Sequence, residues 1–168
     1  MAQTAAHLVD AVIPRVPVRQ WVVSFPIPLR VLLAAHPQLI SEVLQIVHRV
    51  IATFLIKQSG LNRSHAHSGA ITLIQRFGSS ANINIHLHCL VLDGVYQHAE
   101  DGPIFHAARA PSLEELHGLL TKIITRILRR LTRQGLIVED DGEQYVAALE
   151  DSSANDSALA SLQHASAT

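Results

Sequence analysis

The sequence predicts an α+β fold, in which an antiparallel sheet has helices packed on it. Three patterns carry that prediction. The segment Asn82-Ile83-Asn84-Ile85-His86-Leu87-His88 alternates polar and apolar residues, the period of a half-buried strand. From Pro37 to Gln58 apolar residues recur at three- and four-residue steps, the period of a helix face. A second such stretch runs to about Gln134 behind Ser112 and Glu115, which stand at capping-box spacing.

Residues 1–18 contain Pro14 and Pro17 and little periodicity, and read as an extended lead-in. Gln20 to Phe25 is rich in β-branched and aromatic residues and ends at Pro26, which marks a strand. Leu29 to Ala35 reads as a short helix. The long helix after Pro37 carries Leu39, Ile40, Val43, Leu44, Ile46, Val47, Val50, Ile51, Phe54 and Leu55 at helical spacing, and Gly60 stops it as a C′ glycine. Gly69 to Phe77 and Asn82 to Tyr96 are two strands joined by Gly78-Ser79-Ser80-Ala81, an antiparallel hairpin. A loop through Ala110 leads to the capped helix. Leu136 to Val138 and Gln144 to Leu149 form a second hairpin, and residues 150–168, rich in Ser, Ala and Asp, read as a disordered acidic tail. The order βαββαββ places a single core in residues 19–149.

The chain has 168 residues and 48% apolar content, enough for one domain with an aliphatic core. The start shows neither the basic region nor the apolar run of a secretory signal. The apolar stretch from Leu44 to Ile56 is interrupted by His48 and Arg49 and falls short of the ~20 residues that span a bilayer. A cytoplasmic protein without a membrane partner is therefore expected. A single cysteine, Cys89, excludes an internal disulfide and a Cys-rich zinc module. The net charge of −1 hides an asymmetry. All thirteen Lys and Arg stand at or before Arg133, against seven acids, so residues 1–133 are net +6 and residues 134–168 net −7. A basic body suits a polyanionic partner, although an ordinary solvated surface has the same balance.

On the alternating strand, Asn82, Asn84, His86 and His88 share one face, and Ile83, Ile85, Leu87, Cys89 and Val91 share the other. Two imidazoles at this spacing have Cβ atoms roughly 6–7 Å apart, a base from which both can reach one ion. The same pattern is equally that of two surface histidines beside surface asparagines. His65 and His67 repeat the spacing in a stretch without apolar alternation and read as solvent-exposed; His48 and His117 fall on helices. Lys122, Arg126, Arg129, Arg130 and Arg133 form a basic stripe on the capped helix, either a phosphate contact or a solvated face favoured by the helix dipole. Gln75, Arg76 and Asn84 lie nearer the histidines.

The stretch Gly69-Ala70-Ile71-Thr72-Leu73-Ile74-Gln75-Arg76-Phe77-Gly78-Ser79, with Asn82 to Tyr96 after it, closely resembles the two-tyrosine rolling-circle transposases of insertion sequences. These belong to the HUH nuclease superfamily, named for His-hydrophobe-His. Pro17 to Pro26 and the helix end Leu131-Thr132-Arg133-Gln134-Gly135 resemble the same family, so the likeness covers most of residues 4–149. It implies an HUH-type palm, a divalent ion (Mg²⁺ or Mn²⁺) on His86 and His88 with a third ligand from a nearby side chain, and single-stranded DNA as partner; Gln75, on the hairpin partner strand, is the candidate for that third ligand. By their placement near the histidines or on the basic stripe, Arg76, Asn84, Lys122, Arg126 and Arg130 are the candidate DNA contacts. The implied reaction is cleavage and joining of one DNA strand through a phosphotyrosine, in a bacterial cytoplasm at the nucleoid.

The chain departs from that family in two respects. The nucleophilic tyrosines should be a close pair on a downstream helix, but only Tyr96 and Tyr145 are present, and neither matches the motif. The cysteine-rich zinc-binding region is also missing. The expectation is a central portion of a transposase, catalytically inactive alone and dependent on a second copy or a full-length transposase. The alternatives are a non-catalytic single-stranded nucleic-acid-binding module and a non-functional remnant.

Overall fold

The computed structural model describes residues 6–77, 83–140 and 143–146. The fold is α+β, with antiparallel sheets and helices, as the patterning predicts. Strand β1 (Val18–Ser24) leads to helix α1 (Ile27–Ala35) and the long helix α2 (Gln38–Ser59). Strands β2 (Ala66–His67), β3 (Ala70–Phe77), β4 (Ile83–Leu92), β5 (Gly94–Gln97) and β6 (Ile104–Ala107) follow. Helix α3 (Leu113–Arg133) and strands β7 (Ile137–Asp140) and β8 (Glu143–Val146) complete the described elements. The strands form three antiparallel sheets, ordered β1-β4-β3, β2-β5-β6 and β7-β8.

Four details differ from the sequence reading. The lead-in is not wholly extended, because Leu8–Val12 forms a π-helical turn. The run to Tyr96 is not one strand. It breaks at Asp93, whose carboxylate takes two hydrogen bonds from Arg19 at 2.8 and 2.6 Å and whose N–H bonds the Pro17 carbonyl at 2.8 Å. The chain then enters the second sheet at Gly94, where a Cβ would collide with the His106 carbonyl. That sheet recruits Ala66–His67 and Ile104–Ala107, both expected as loop. Short strands with no alternation of their own are visible only through their partners. The turn expected at 78–81, Asn82 at the expected start of the next strand, and the tail expected at 150–168 lie outside the described residues.

Strand β1 alternates exposed and half-buried residues along its whole length. Its inward side chains Trp21 and Val23 pack with Ile85, Leu87, Cys89 and Val91 of β4, all buried. Helix α2 covers this inner face through Leu39, Val43, Val47, Val50 and Ile51, and His48 Nε2 lies 2.7 Å from the Thr72 hydroxyl of β3. By length and composition α2 could cross a membrane. Its apolar residues instead form much of the core of this fold, which explains its composition. Helix α3 packs on α2 through Leu119, Ile123, Ile127 and Leu131, each four residues after the last, a single stripe on a helix. The capping box is present: Ser112 Oγ accepts from Glu115 N–H at 3.2 Å, and Glu115 accepts from Ser112 N–H at 2.8 Å. Gly60 and Gly135 end the two long helices at φ of 70° and 69°, the left-handed conformation that glycine adopts at least cost.

Candidate nucleic-acid and metal site

With helices on one side of the β1-β4-β3 sheet, the outer side of β4 is left to His86 and His88. In an antiparallel pair, residues directly opposite share a face. The register places Ser24 and Gln75 on either side of His86, and Val22 and Leu73 on either side of His88. Behind the two histidines Leu87 is 1% exposed, so the strand between them is anchored in the core. The imidazole centroids stand 6.4 Å apart with planes inclined at 50°.

Two glutamines hold His88. Gln20 Nε2 lies 3.1 Å from Nδ1, and Gln75 Oε1 lies 3.2 Å from Nε2. If Gln20 donates, Nδ1 is the lone-pair nitrogen and Nε2 carries the proton that Gln75 accepts. Gln75 is itself fixed, its Nε2 donating to the Phe77 carbonyl at 3.1 Å. Gln75, the third-ligand candidate from the sequence, therefore contacts His88 and stands opposite His86 in the register. Gln20 was not nominated. The signal was present, since Gln20, Val22 and Ser24 alternate with Trp21 and Val23, but nothing local identified the face opposite His88.

The donor set is two imidazoles and a carboxamide oxygen, all uncharged when the imidazoles are neutral. Among the described residues no group of three or more His, Cys, Asp or Glu converges as a metal cluster, so any ion here would rely on Gln75 as its third protein donor. The set fits a divalent ion chemically: imidazole nitrogen suits Mn²⁺ or Zn²⁺, and amide oxygen suits Mg²⁺ or Mn²⁺. Neutral donors would leave the ion's charge undiminished toward an anionic substrate. Bonds of about 2.1 Å to both rings require them to turn toward each other and His88 to release one glutamine.

Asn84 is half-buried on the same strand, and its Oδ1 is buried without a hydrogen-bond partner. Arg76 is exposed at the β-bulge between Gln75 and Phe77, beside the histidine face. The basic stripe of α3 is not brought to this site, because α3 packs on α2, which covers the opposite side of the sheet. Arg130, also on α3, is ion-paired within the fold. Its guanidinium holds Glu42 of α2 at 2.7 and 3.1 Å, which keeps the Glu42 carboxyl below the usual range. Lys122 and Arg126 remain exposed on α3. Tyr96 lies on β5 against Phe105, with ring centroids 5.1 Å apart, in the second sheet. Tyr145 is on β8.

A family model described as "putative transposase" matches residues 69–165, from the start of the β3-β4 hairpin onward. The chain belongs to this transposase family. No curated protein and no solved structure matches it. The match takes in the whole of the transposase's histidine strand, the β5-β6 hairpin and α3. Strand β1, which contributes Gln20, precedes it.

Proposed function

We propose that this transposase chain carries the metal-holding half of a DNA strand-transfer site, with His86, His88 and Gln75 as ligands and single-stranded DNA as substrate. One observation carries the reading: His86, His88 and Gln75 come together on a face of a central strand where, among the described residues, no acid is hydrogen-bonded or ion-paired to them. Each ligand has a distinct support. His86 and His88 are positioned by the buried Leu87 between them. Gln75 is held by the Phe77 carbonyl, and Gln20 sets the orientation of the His88 ring. Arg76 and Asn84, flanking this face, are the groups within reach of a strand laid along it. A divalent ion, Mg²⁺ or Mn²⁺, supplies neutralisation of charge on the phosphoryl oxygens and alignment for in-line attack.

In this reading a tyrosine hydroxyl attacks the phosphate, leaving a 5′-phosphotyrosine and a free 3′-OH, so that the bond energy is kept for joining. Tyr96 and Tyr145 stand on separate strands outside the site's sheet, so the nucleophile comes from elsewhere, such as a full-length transposase or another segment. The test is Mn²⁺ titration of the parent and of a His86→Ala, His88→Ala variant, followed by incubation with a single-stranded oligonucleotide. The expected result is Mn²⁺ binding lost in the variant and no covalent adduct from either protein. Undiminished Mn²⁺ binding in the variant would sink the metal assignment. An adduct on Tyr96 or Tyr145 would overturn the assignment of the nucleophile to another segment.

A further inference from the structure

Charge is separated along this chain, with residues 1–133 net +6 and residues 134–168 net −7, and the histidine site makes no use of that separation. Both lysines of the chain, Lys57 and Lys122, meet at one place. A groove of about 740 Å³ lies between α2 and α3, and none of its lining residues belongs to the sheet that carries His86 and His88. Lys57 of α2 and Lys122 and Arg126 of α3 line it as exposed cations. None of the three has an ion-pair partner among the described residues. A fourth cation, Arg109, is bound to Glu115 at 2.6 and 2.8 Å, which leaves Glu114 as the remaining acid of the lining. Buried Val50 and Leu119 and the half-buried Phe54 supply an apolar surface beside these charges.

The acidic part of the chain starts near this groove. Helix α3 ends at Arg133, Leu136 N–H bonds the Leu131 carbonyl at 3.0 Å, and Ile137 is buried at the start of β7. Val146, the last residue of β8, is paired with Ile137, so the chain leaves β8 beside the C-terminal end of α3. From that end Arg126 and Lys122 lie roughly 10 and 17 Å back along the helix at the usual rise per residue. Glu150 and Asp151 follow Val146 within five residues and Asp156 within ten, which is roughly 17 and 33 Å of extended chain. Both spans suffice. Residues 147–168 carry these three acids and no Lys or Arg, with Leu149, Leu159 and Leu162 as their larger apolar side chains. The family match runs to residue 165 and so takes in most of this segment.

We propose that residues 147–168 dock in the α2–α3 groove of their own chain. Glu150 and Asp151 meet Arg126, Asp156 meets Lys122 and Lys57, and leucines of the segment cover the Val50, Phe54 and Leu119 surface. The segment has the opposite charge and sufficient reach. Its tether also raises its local concentration to the order of millimolar, an advantage that a free partner of the same charge lacks. The contact is largely between exposed charges and weakens as salt screens them. A docked segment neutralises these cations toward any other anion. The inference is independent of the metal assignment.

The experiment is zero-length carbodiimide cross-linking of the full chain at low salt, with the joined peptides mapped by mass spectrometry. Lys57 and Lys122 are the only lysines available, so the reaction reports on this groove. An equal mixture of unlabelled and nitrogen-15-labelled protein separates links within a chain from links between chains. The expected product joins Lys57 or Lys122 to Glu150, Asp151 or Asp156 of the same chain, with a yield about fivefold lower in ~1 M NaCl. A second measurement follows lysine acetylation. Glu150→Gln with Asp151→Asn and Asp156→Asn, near-isosteric changes that remove only charge, should raise the acetylation rate of both lysines about threefold or more. Links from the lysines only to acids outside residues 147–168 overturn the proposal. So do links formed only between chains, or unchanged acetylation in the neutralised variant.

Discussion

His65 and His67 flank Ala66 where a turn enters the two-residue edge strand Ala66–His67, whereas His86 and His88 flank Leu87 within the central strand of another sheet. Both pairs have the i, i+2 spacing that points two side chains to the same side. Around the first pair the strand is short, both histidines are exposed, and the His65 carbonyl serves only to accept a hydrogen bond from His98 N–H at 3.3 Å. Around the second, a neighbouring strand on each side delivers a glutamine to His88. Spacing is a property of four or five residues. The glutamine contacts to His88 are a property of three strands in register, and that is what separates the two pairs.

The contrast can be broken most sharply in the core. Leu87→Ala should cost about 2–5 kcal/mol in urea denaturation, the range for a buried leucine that leaves a cavity. Ala66→Gly, the matching central residue of the edge pair, should cost about 1 kcal/mol or less. Similar losses at both positions would mean that β4 is no better anchored than β2.

Next comes the glutamine that distinguishes the two settings. Gln20→Ala should weaken Mn²⁺ binding by about tenfold or more, as expected when a group orienting a metal-binding histidine is removed. His65→Ala with His67→Ala should leave the Mn²⁺ affinity unchanged in the same calorimetric titration. If the edge pair contributes as much as the central pair, register is not what makes the site.

The smallest expected effect concerns a histidine on the covered side of the sheet. Burial pushes the His48 imidazole below its ordinary value, and its Nε2 lies beside the Thr72 hydroxyl. As pH falls below about 6.5 the unfolded chain takes up this proton before the folded one does. The stability tied to neutral His48 is thus complete above that pH and is lost as pH drops toward the folded-state value. Replacing it in His48→Asn should make Tm less sensitive to pH between about 7 and 5, read by thermal denaturation. An unchanged slope would show that His48 is no more sheltered than the exposed pair.

Much of the architecture was legible in local pattern. The ten apolar residues at helical spacing in the long helix, the Ser112–Glu115 cap and the alternation through His88 are each local signals of one kind of element, so α2, α3 and β4 stand close to where the residues place them. The β2-β5-β6 sheet was not legible. Its strands are two to four residues long and acquire their conformation from pairing, and the corner at Asp93 depends on an arginine 74 positions earlier.

For the candidate site the division is similar. His86 and His88 were identifiable because alternation along one strand fixes which side chains share a face. The sequence also determined that this chain's two tyrosines are forty-nine positions apart and not a close pair. Tertiary structure decided the rest: that Gln20 and Gln75 meet His88, that Arg130 is bound to Glu42, and that Lys122 and Arg126 border a groove away from the histidines. Those outcomes depend on strand register and on how helices pack, both set by burial across the whole core, and no short stretch of sequence carries that information.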